Sequence, residues 1–221
     1  MMARGEDEAM HLARSKGEWS ADAPIVLIDS CVWHHSFSRN VLRHLALAMA
    51  IRIRWSRSIE AEWIASVQRA RPEIPRSRLL MVRDRFRSEF PDGLVPEALP
   101  RAGVPRLPDP NDEHVLRAAM HAGATIICTV DRRGFPAEIL GPLGITAVPP
   151  HTVLTECLAK QHARAAAALH AHRAGLERPS LRAQEYVDAL KKSSLIENAA
   201  LERQVLRILA RGGEGARERT D

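Results

Sequence analysis

Short, continuous runs of apolar, mostly β-branched residues constrain the fold of this chain more than any other feature. Ile25-Val-Leu-Ile28 is one such run, and Thr125-Ile-Ile-Cys-Thr-Val130 is another. Strands that are apolar on both faces are typical of a parallel sheet covered by helices. Residues 51–55 and 145–148 are weaker runs of the same kind. The sequence therefore predicts a buried, mainly parallel sheet.

Helical patterns alternate with these strands. Ser56 or Ser58 could cap a helix that reaches Ala70, and Gly123 would end an alanine-rich helix that opens at Asp109. Further helices are predicted at residues 38–50, 75–90 and 137–142, and residues 91–108, which contain five prolines, read as a loop. Alternating strands and helices predict the α/β class, here a three-layer sandwich around a mainly parallel central sheet.

The chain is expected to have three parts. Residues 1–22 are polar and aperiodic and predict a mobile N-terminal arm. Residues 23–150 hold the α/β domain, which ends at Pro149-Pro150. Residues 151–221 predict a small helical C-terminal extension with a frayed tail, and its helices are expected at 151–174, about 181–191 and about 195–210.

Composition narrows the class of protein. The net charge is +5 and the positive charge is mostly arginine, which suits contacts to phosphate, although a GC-rich genome would also enrich arginine. No apolar run is long enough for a bilayer and the N-terminus lacks a secretory signal, so a cytoplasmic protein without a membrane partner is expected. Cys31, Cys128 and Cys157 lack metal-site spacing and are expected to be reduced.

Aspartates follow two of the predicted strands directly. Asp29 ends the first strand and Asp131 ends the strand at 125–130. In open α/β sheets functional groups gather at the carboxyl ends of strands, and a carboxylate there must be paired, solvated or metal-bound. From position alone, helix capping is the favoured role for each of them.

Two more acidic positions remain ambiguous on spacing alone. At the start of the alanine-rich helix, Asp109 before Pro110 is typical of an N-cap. The negative charge of Asp112 would interact favourably with the dipole of this helix. In the helix that ends at Ala70, either Glu60 or Glu62 could be the fourth acidic residue of the site. The alternative role for both is a salt bridge on a solvated face of the helix. The apolar stripe of that helix does not select Glu62, because Glu60 falls somewhat nearer to it; the stripe comprises Ile59, Trp63, Val67 and Ala70.

Four segments, in order, resemble the motifs of PIN-domain nucleases. Residues 26–33 (VLIDSCVW) resemble the opening strand and first aspartate, and residues 55–63 (WSRSIEAEW) resemble a segment that ends in a Glu-Trp pair. Residues 107–119 (LPDPNDEHVLRAA) resemble the third motif, and residues 122–136 (AGATIICTVDRRGFP) resemble the fourth. The resemblance covers about residues 25–157.

The resemblance implies a catalytic set of Asp29, Glu62, Asp112 and Asp131, with Glu60 left at the surface. It implies that Mg²⁺ or Mn²⁺ is held by Asp29, Asp112 and Asp131 and supported by outer residues. Those outer residues are Ser30, Asp109, Asn111 and Thr129. Arg132 and Arg133 are expected to bind RNA, or else to be a solvated pair. Many relatives carry a further acid where this chain has Gly134, which departs from the family pattern.

The implied activity is metal-dependent endoribonuclease cleavage of RNA. The whole chain resembles VapC-type toxins with a helical C-terminal extension, so a cognate small antitoxin and a homodimer are the expected protein partners. The departure at Gly134 keeps a second interpretation open: a non-catalytic PIN-like module that binds RNA or a partner. A phosphatase or flap-type DNA nuclease on a similar scaffold is a more remote alternative.

Overall fold

The structure is a computed structural model that describes residues 23–96, 104–176 and 180–214. The predicted mobile arm at residues 1–22 and the last part of the predicted frayed tail lie outside the described residues. The described part of the chain is mixed α/β, with one five-stranded, all-parallel sheet covered by helices. The predicted class and the parallel sheet are therefore confirmed.

The five strands are β1 (Ile25–Ile28), β2 (Arg52–Ser56), β3 (Leu94–Val95), β4 (Ile126–Cys128) and β5 (Thr146–Val148). Their order across the sheet is β3-β2-β1-β4-β5. β1 is therefore the central strand. β2 and β3 lie in order on one side of it, and β4 and β5 lie in order on the other side. β1 and β4 are hydrogen-bonded neighbours at the point where the direction of the chain across the sheet changes.

Six helices of the α/β part connect the strands. They are α1 (Ser30–His34), α2 (Ser36–Leu47), α3 (Arg57–Ala70), α4 (Arg76–Glu89), α5 (Glu113–His121) and α6 (Ala137–Leu140). Ser56 caps α3 by accepting a hydrogen bond from the Ile59 amide at 3.3 Å, which selects the first of the two predicted caps. Gly123 follows α5 with a φ of 60°, as a helix-ending glycine should. Most of the predicted stripe of α3 is buried, but Ala70 is exposed.

The prediction that residues 91–108 form only a loop is wrong at β3. Leu94 and Val95 pair with Trp55 and Ser56 at the edge of the sheet. Gly93 permits this approach, because a Cβ there would lie 2.1 Å from the Trp55 ring. A two-residue strand among prolines has no periodic signal, so the sequence could not reveal it.

Four helices follow the sheet: α7 (Pro150–Lys160), α8 (His162–Ala174), α9 (Ala183–Lys192) and α10 (Ala199–Glu214). They fall in the predicted helical segments, except that the segment predicted at 151–174 forms two helices divided at Gln161. The second of these, α8, packs against α2 of the α/β part. Two hydrogen bonds from side chains to backbone carbonyls link the α/β part to the C-terminal helices. Gln161 Nε2 donates to Ala50 O at 3.1 Å, and Ser38 Oγ donates to Ser193 O at 2.8 Å. The buried apolar side chains of both parts form one continuous cluster.

A histidine in α8 is buried at this junction. His172 is 3% exposed, and its Nδ1 lies 2.8 Å from the Tyr186 hydroxyl. Burial, together with the charges of His44 and Arg43, lowers the pKa of His172 to about 3. His172 is therefore neutral in the folded protein.

Among the described helices, none is both long enough and apolar enough to cross a bilayer. The three cysteines are free, and Cys128 and Cys157 are buried while Cys31 is half-buried, as expected for reduced thiols.

Candidate active site

The first predicted aspartates lie at the place in the sheet where a parallel α/β fold forms a crevice. Asp29 directly follows β1, and Asp131 comes three residues after β4 ends at Cys128. Since β1 and β4 are adjacent and the chain direction across the sheet changes between them, their carboxyl ends form a topological switch point. Functional groups of such sheets collect there, so this edge is the candidate active site.

Asp29 is held rigidly at this edge. It is 7% exposed, and its backbone amide extends the sheet by donating to Cys128 O at 3.0 Å. Its Oδ1 accepts from the Ser30 amide at 2.6 Å and lies 3.4 Å from Ser30 Oγ. The capping role is therefore confirmed, and it fixes the carboxylate in one orientation without removing it from the site.

Thr129 connects the two strand-end aspartates. Its buried hydroxyl donates to Asp29 Oδ2 at 2.8 Å and accepts from the Asp131 amide at 3.0 Å. One side chain therefore sets both the orientation of Asp29 and the path of the chain into Asp131. This is the supporting position in which the resemblance placed Thr129.

Cys31 also contacts Asp29, and sequence reasoning did not anticipate this contact. Its thiol donates to Asp29 Oδ2 at 3.0 Å and accepts from the Val130 amide at 3.4 Å. Burial raises the pKa of Cys31 to about 12, and the negative charge of Asp29 adds to the effect. The thiol therefore stays protonated and acts as a hydrogen-bond donor. The only sequence signal was its place two residues after Asp29.

Asp131 is exposed and organises the turn that follows it. Its Oδ1 accepts from the amides of Arg133 at 3.1 Å and Gly134 at 3.3 Å. Among the described residues, no hydrogen bond reaches its Oδ2. The turn thus leaves one carboxylate oxygen of Asp131 available at the mouth of the crevice.

Asp112 faces the same small space from the start of α5. A Cβ placed on Gly134 would lie 2.5 Å from Asp112 Oδ2 and 3.5 Å from Asp131 Oδ2. Partial burial, together with the charges of Asp29, Asp109 and Asp131, raises the pKa of Asp112 to about 6. Three of the four predicted carboxylates therefore act on one another at this edge, and they lack a full counter-charge.

Glu62 does not join these three directly. It lies on α3 with a 44% exposed side chain, and its Oε1 is 2.6 Å from His114 Nε2 on α5. His114 in turn acts on the charge of Asp112 and lowers its pKa slightly. The structure thus places Glu62 at the rim of the site, one histidine away from Asp112.

The expectation that Glu60 lies at the surface is wrong. Glu60 is 6% exposed, accepts from Trp55 Nε1 at 2.8 Å and is ion-paired with Arg87 of α4. A buried carboxylate needs such partners, and Arg87 supplies the charge. Glu60 therefore joins α3 to β2 and α4, away from the carboxylates at the strand ends.

The remaining predicted residues occupy the margin of the site. Asp109 Oδ1 caps the turn at Pro110–Asp112 by accepting from the Asn111 amide at 2.8 Å, so its capping role is confirmed. Asn111 is exposed, and within the described residues its side chain makes no hydrogen bond to the carboxylates. Arg132 and Arg133 are exposed beside Asp131, and neither forms an ion pair with another described residue.

The donor chemistry suits a hard divalent cation, but the present arrangement is open. Carboxylate oxygens are the ligands that Mg²⁺ and Mn²⁺ prefer, and after burial the charges of Asp29 and Asp131 contribute to the raised pKa of Asp112. Within residues 23–96, 104–176 and 180–214, however, no group of three or more His, Cys, Asp or Glu side chains converges closely enough to hold a metal ion.

Comparison with protein-family models, with curated proteins and with solved structures finds no match to this chain.

Proposed function

We propose that this protein is a PIN-type endoribonuclease that depends on Mg²⁺ or Mn²⁺, and that it acts as the toxin of a type II toxin-antitoxin system. The observation that carries the proposal is the placement of Asp29, Asp112 and Asp131 at the switch point of a parallel sheet, where the Oδ2 atoms of Asp112 and Asp131 both lie near Gly134. The four sequence segments that resemble PIN motifs supply the residues of this edge, which supports the same assignment.

Asp112 and Asp131 would hold the ion together with Asp29. The ion, when bound, would neutralise charge on the phosphodiester and supply an activated water. The Oδ2 atoms of Asp112 and Asp131 both lie near Gly134, which has no side chain to block the space beside them. These carboxylates are the oxygen ligands that such a cation prefers, and water would supply the remaining ones.

Each residue of the chain then has a definite task. Thr129 and Cys31 donate to Asp29 Oδ2 and keep that carboxylate from rotating. Asp112 loses its proton above a pH of about 6, so near neutral pH its carboxylate is charged and can bind the ion. Arg132 and Arg133 lie beside Asp131 and can bind the phosphates that flank the cut.

The substitution Asp29→Asn tests the proposal. It keeps the cap of α1, because asparagine also caps helices, and it removes one charge from the site. Cleavage of single-stranded RNA in Mn²⁺ should fall by about 100-fold or more, the loss expected for electrostatic groups at a reacting centre. Asp84→Asn, the same change at an exposed carboxylate of α4, is the control and should cleave normally.

Two results would contradict the nuclease. One is full RNA cleavage by Asp29→Asn, and the other is a wild-type protein that cleaves no RNA with either metal. Thermal unfolding of both variants shows that any loss of activity comes from chemistry and not from unfolding. A DNA substrate run in parallel separates the ribonuclease from a flap-type DNA nuclease.

A second candidate function is a non-catalytic PIN-like module that binds RNA or a protein partner. The specific observation in its favour is that Glu62 is paired with His114 and the described carboxylates do not converge into a three-ligand site. Calorimetric titration with Mn²⁺ separates the two functions. A nuclease should bind Mn²⁺ with an affinity that falls below pH 6, and a non-catalytic module should show no binding of that kind.

The toxin proposal includes two protein partners. We propose that the chain binds a small antitoxin and that it forms a homodimer with a second copy of itself. Size-exclusion chromatography with light scattering tests the homodimer. Inhibition of RNA cleavage by the product of an adjacent short reading frame tests the antitoxin.

A further inference from the structure

A cleft lies beside the acidic residues, between the turn after β4 and the C-terminal helices. Its volume is about 420 Å³, which is within the usual range for ligand sites. A smaller cavity of about 50 Å³ shares Val130 and Ser194 with it. Together they form one groove, which we call the extension groove. Its inner wall is Val130 and Arg132, and its outer wall includes Lys191, Ser194 and Glu197.

The extension groove adjoins the candidate active site through the turn after β4. Val130 lies between Thr129, which bonds to Asp29, and Asp131. Its amide donates to the Cys31 thiol, which itself donates to Asp29. Val130 and Arg132 therefore belong both to the groove and to the chain segment that carries Asp131.

The groove favours an anionic occupant. Arg132, Lys191 and Lys192 line it as cations, and Arg132 and Lys192 form no ion pair with any other described residue. Lys191 pairs with Glu202 at 3.0 Å, an exposed contact that another anion can replace at little cost. The acidic residue in the outer wall is Glu197, and its Oε2 lies 2.6 Å from His151 Nε2.

The groove also offers apolar contacts. Val130 is 51% exposed, and Pro149 and Ile196 line the same cavity. Val130 lies at the junction of the two cavities. An occupant with both an anionic backbone and flat apolar faces matches this combination of side chains.

We propose that the extension groove binds the nucleotide of single-stranded RNA next to the scissile phosphate, so that the C-terminal helices form part of the substrate site. This inference rests on the proposed ribonuclease function. Lys191 and Lys192 contact phosphates, Arg132 bridges the groove and the active site, and Val130 packs against a base or ribose. The cations of the groove favour the phosphate backbone of RNA as its occupant.

The test uses the double variant Lys191→Ala/Lys192→Ala in an Asp29→Asn background, so that binding is measured without cleavage. The probe is a fluorescent single-stranded RNA of about 10 nucleotides, long enough for one binding site. We expect the Kd to rise roughly tenfold at low salt, since each exposed ionic contact adds modestly to affinity. The slope of log K against log salt should become shallower by about 1.4, or about 0.7 for each phosphate that a lysine no longer neutralises.

Lys160→Ala in the same background is the matched control. Lys160 is also an exposed lysine of the C-terminal helices and also pairs with a glutamate, but it lines a different cavity near Pro24 and Ala50. Its removal should change neither the Kd nor the salt slope. Circular dichroism confirms that the variants keep their helices.

Three outcomes overturn the inference. If the parent binds RNA but the double variant binds it equally well with the same salt slope, the groove is not on the RNA path, although the ribonuclease proposal survives. If Lys160→Ala weakens binding as much as the double variant does, the effect is only one of general charge. If the parent binds no RNA at all, the inference and the proposed function fail together.

Discussion

Gly134→Ala tests how closely the geometry of the site depends on the absence of a side chain. Gly134 is buried, and an added Cβ would lie 2.5 Å from Asp112 Oδ2. The carboxylate must retreat by about 1 Å to restore an ordinary contact. It would then leave its preferred rotamer or turn away from Asp131, at a cost of about 0.5–1.5 kcal/mol. We expect a 10- to 100-fold loss in Mn²⁺ affinity, the range found when groups that orient metal ligands are changed.

The stability of this variant should not fall with its activity. The φ angle of Gly134 is not in the left-handed region, so alanine is tolerated by the backbone and reduces the entropy of the unfolded chain. Mn²⁺ titration, RNA cleavage and thermal unfolding are measured on the same samples. Gly141→Ala is the control, because a Cβ there meets nothing within 4 Å. If Gly134→Ala binds Mn²⁺ and cleaves RNA like the wild type, Asp112 does not act from the position described.

Two further predictions concern pH. Mn²⁺ affinity should fall about tenfold for each pH unit below 6, because Asp112, whose pKa is raised to about 6, must lose its proton to bind the ion. Mn²⁺ titrations between pH 5 and 8 check this. A Mn²⁺ affinity that does not change with pH would exclude Asp112 as a ligand. The buried His172 has a folded pKa of about 3, so below pH 6.5 the unfolded chain binds a proton that the folded protein refuses. The free energy of unfolding should therefore drop by about 1.4 kcal/mol per pH unit from this group as the pH falls from 6.5 towards 3. Urea unfolding at several pH values should show a smaller drop in His172→Phe than in the wild type, and equal slopes would refute the assignment.

The sequence predicted the parts of the site that depend on local chain direction. Asp29 and Asp131 follow buried parallel strands, so their arrival at one edge follows from the α/β topology itself. Asp112 begins a helix, and spacing left it indistinguishable from an ordinary cap; the resemblance selected it. The structure places it opposite Asp131 across Gly134, a proximity between separate segments that no local pattern encodes.

The errors arose where contacts between distant segments decide burial. Glu60 is buried because Arg87, on the next helix, and the Trp55 indole both reach it. Its neighbour Glu62 instead meets His114 from α5. The thiol of Cys31 belongs to the site through a hydrogen bond to Asp29, which no sequence pattern predicted. Periodicity describes one helix at a time and cannot identify the partner on another.

The pairing of β1 with β4 has a mechanical consequence. Ile28 is in register with Cys128, so the residues that follow them are anchored about 4.8 Å apart by the ladder of backbone hydrogen bonds. Asp29 and Thr129, which follow these two residues directly, are therefore held by the sheet. Asp112 and Asp131 lie instead in turns beyond the strands. A movement that brings the three carboxylates closer together must come from those two turns.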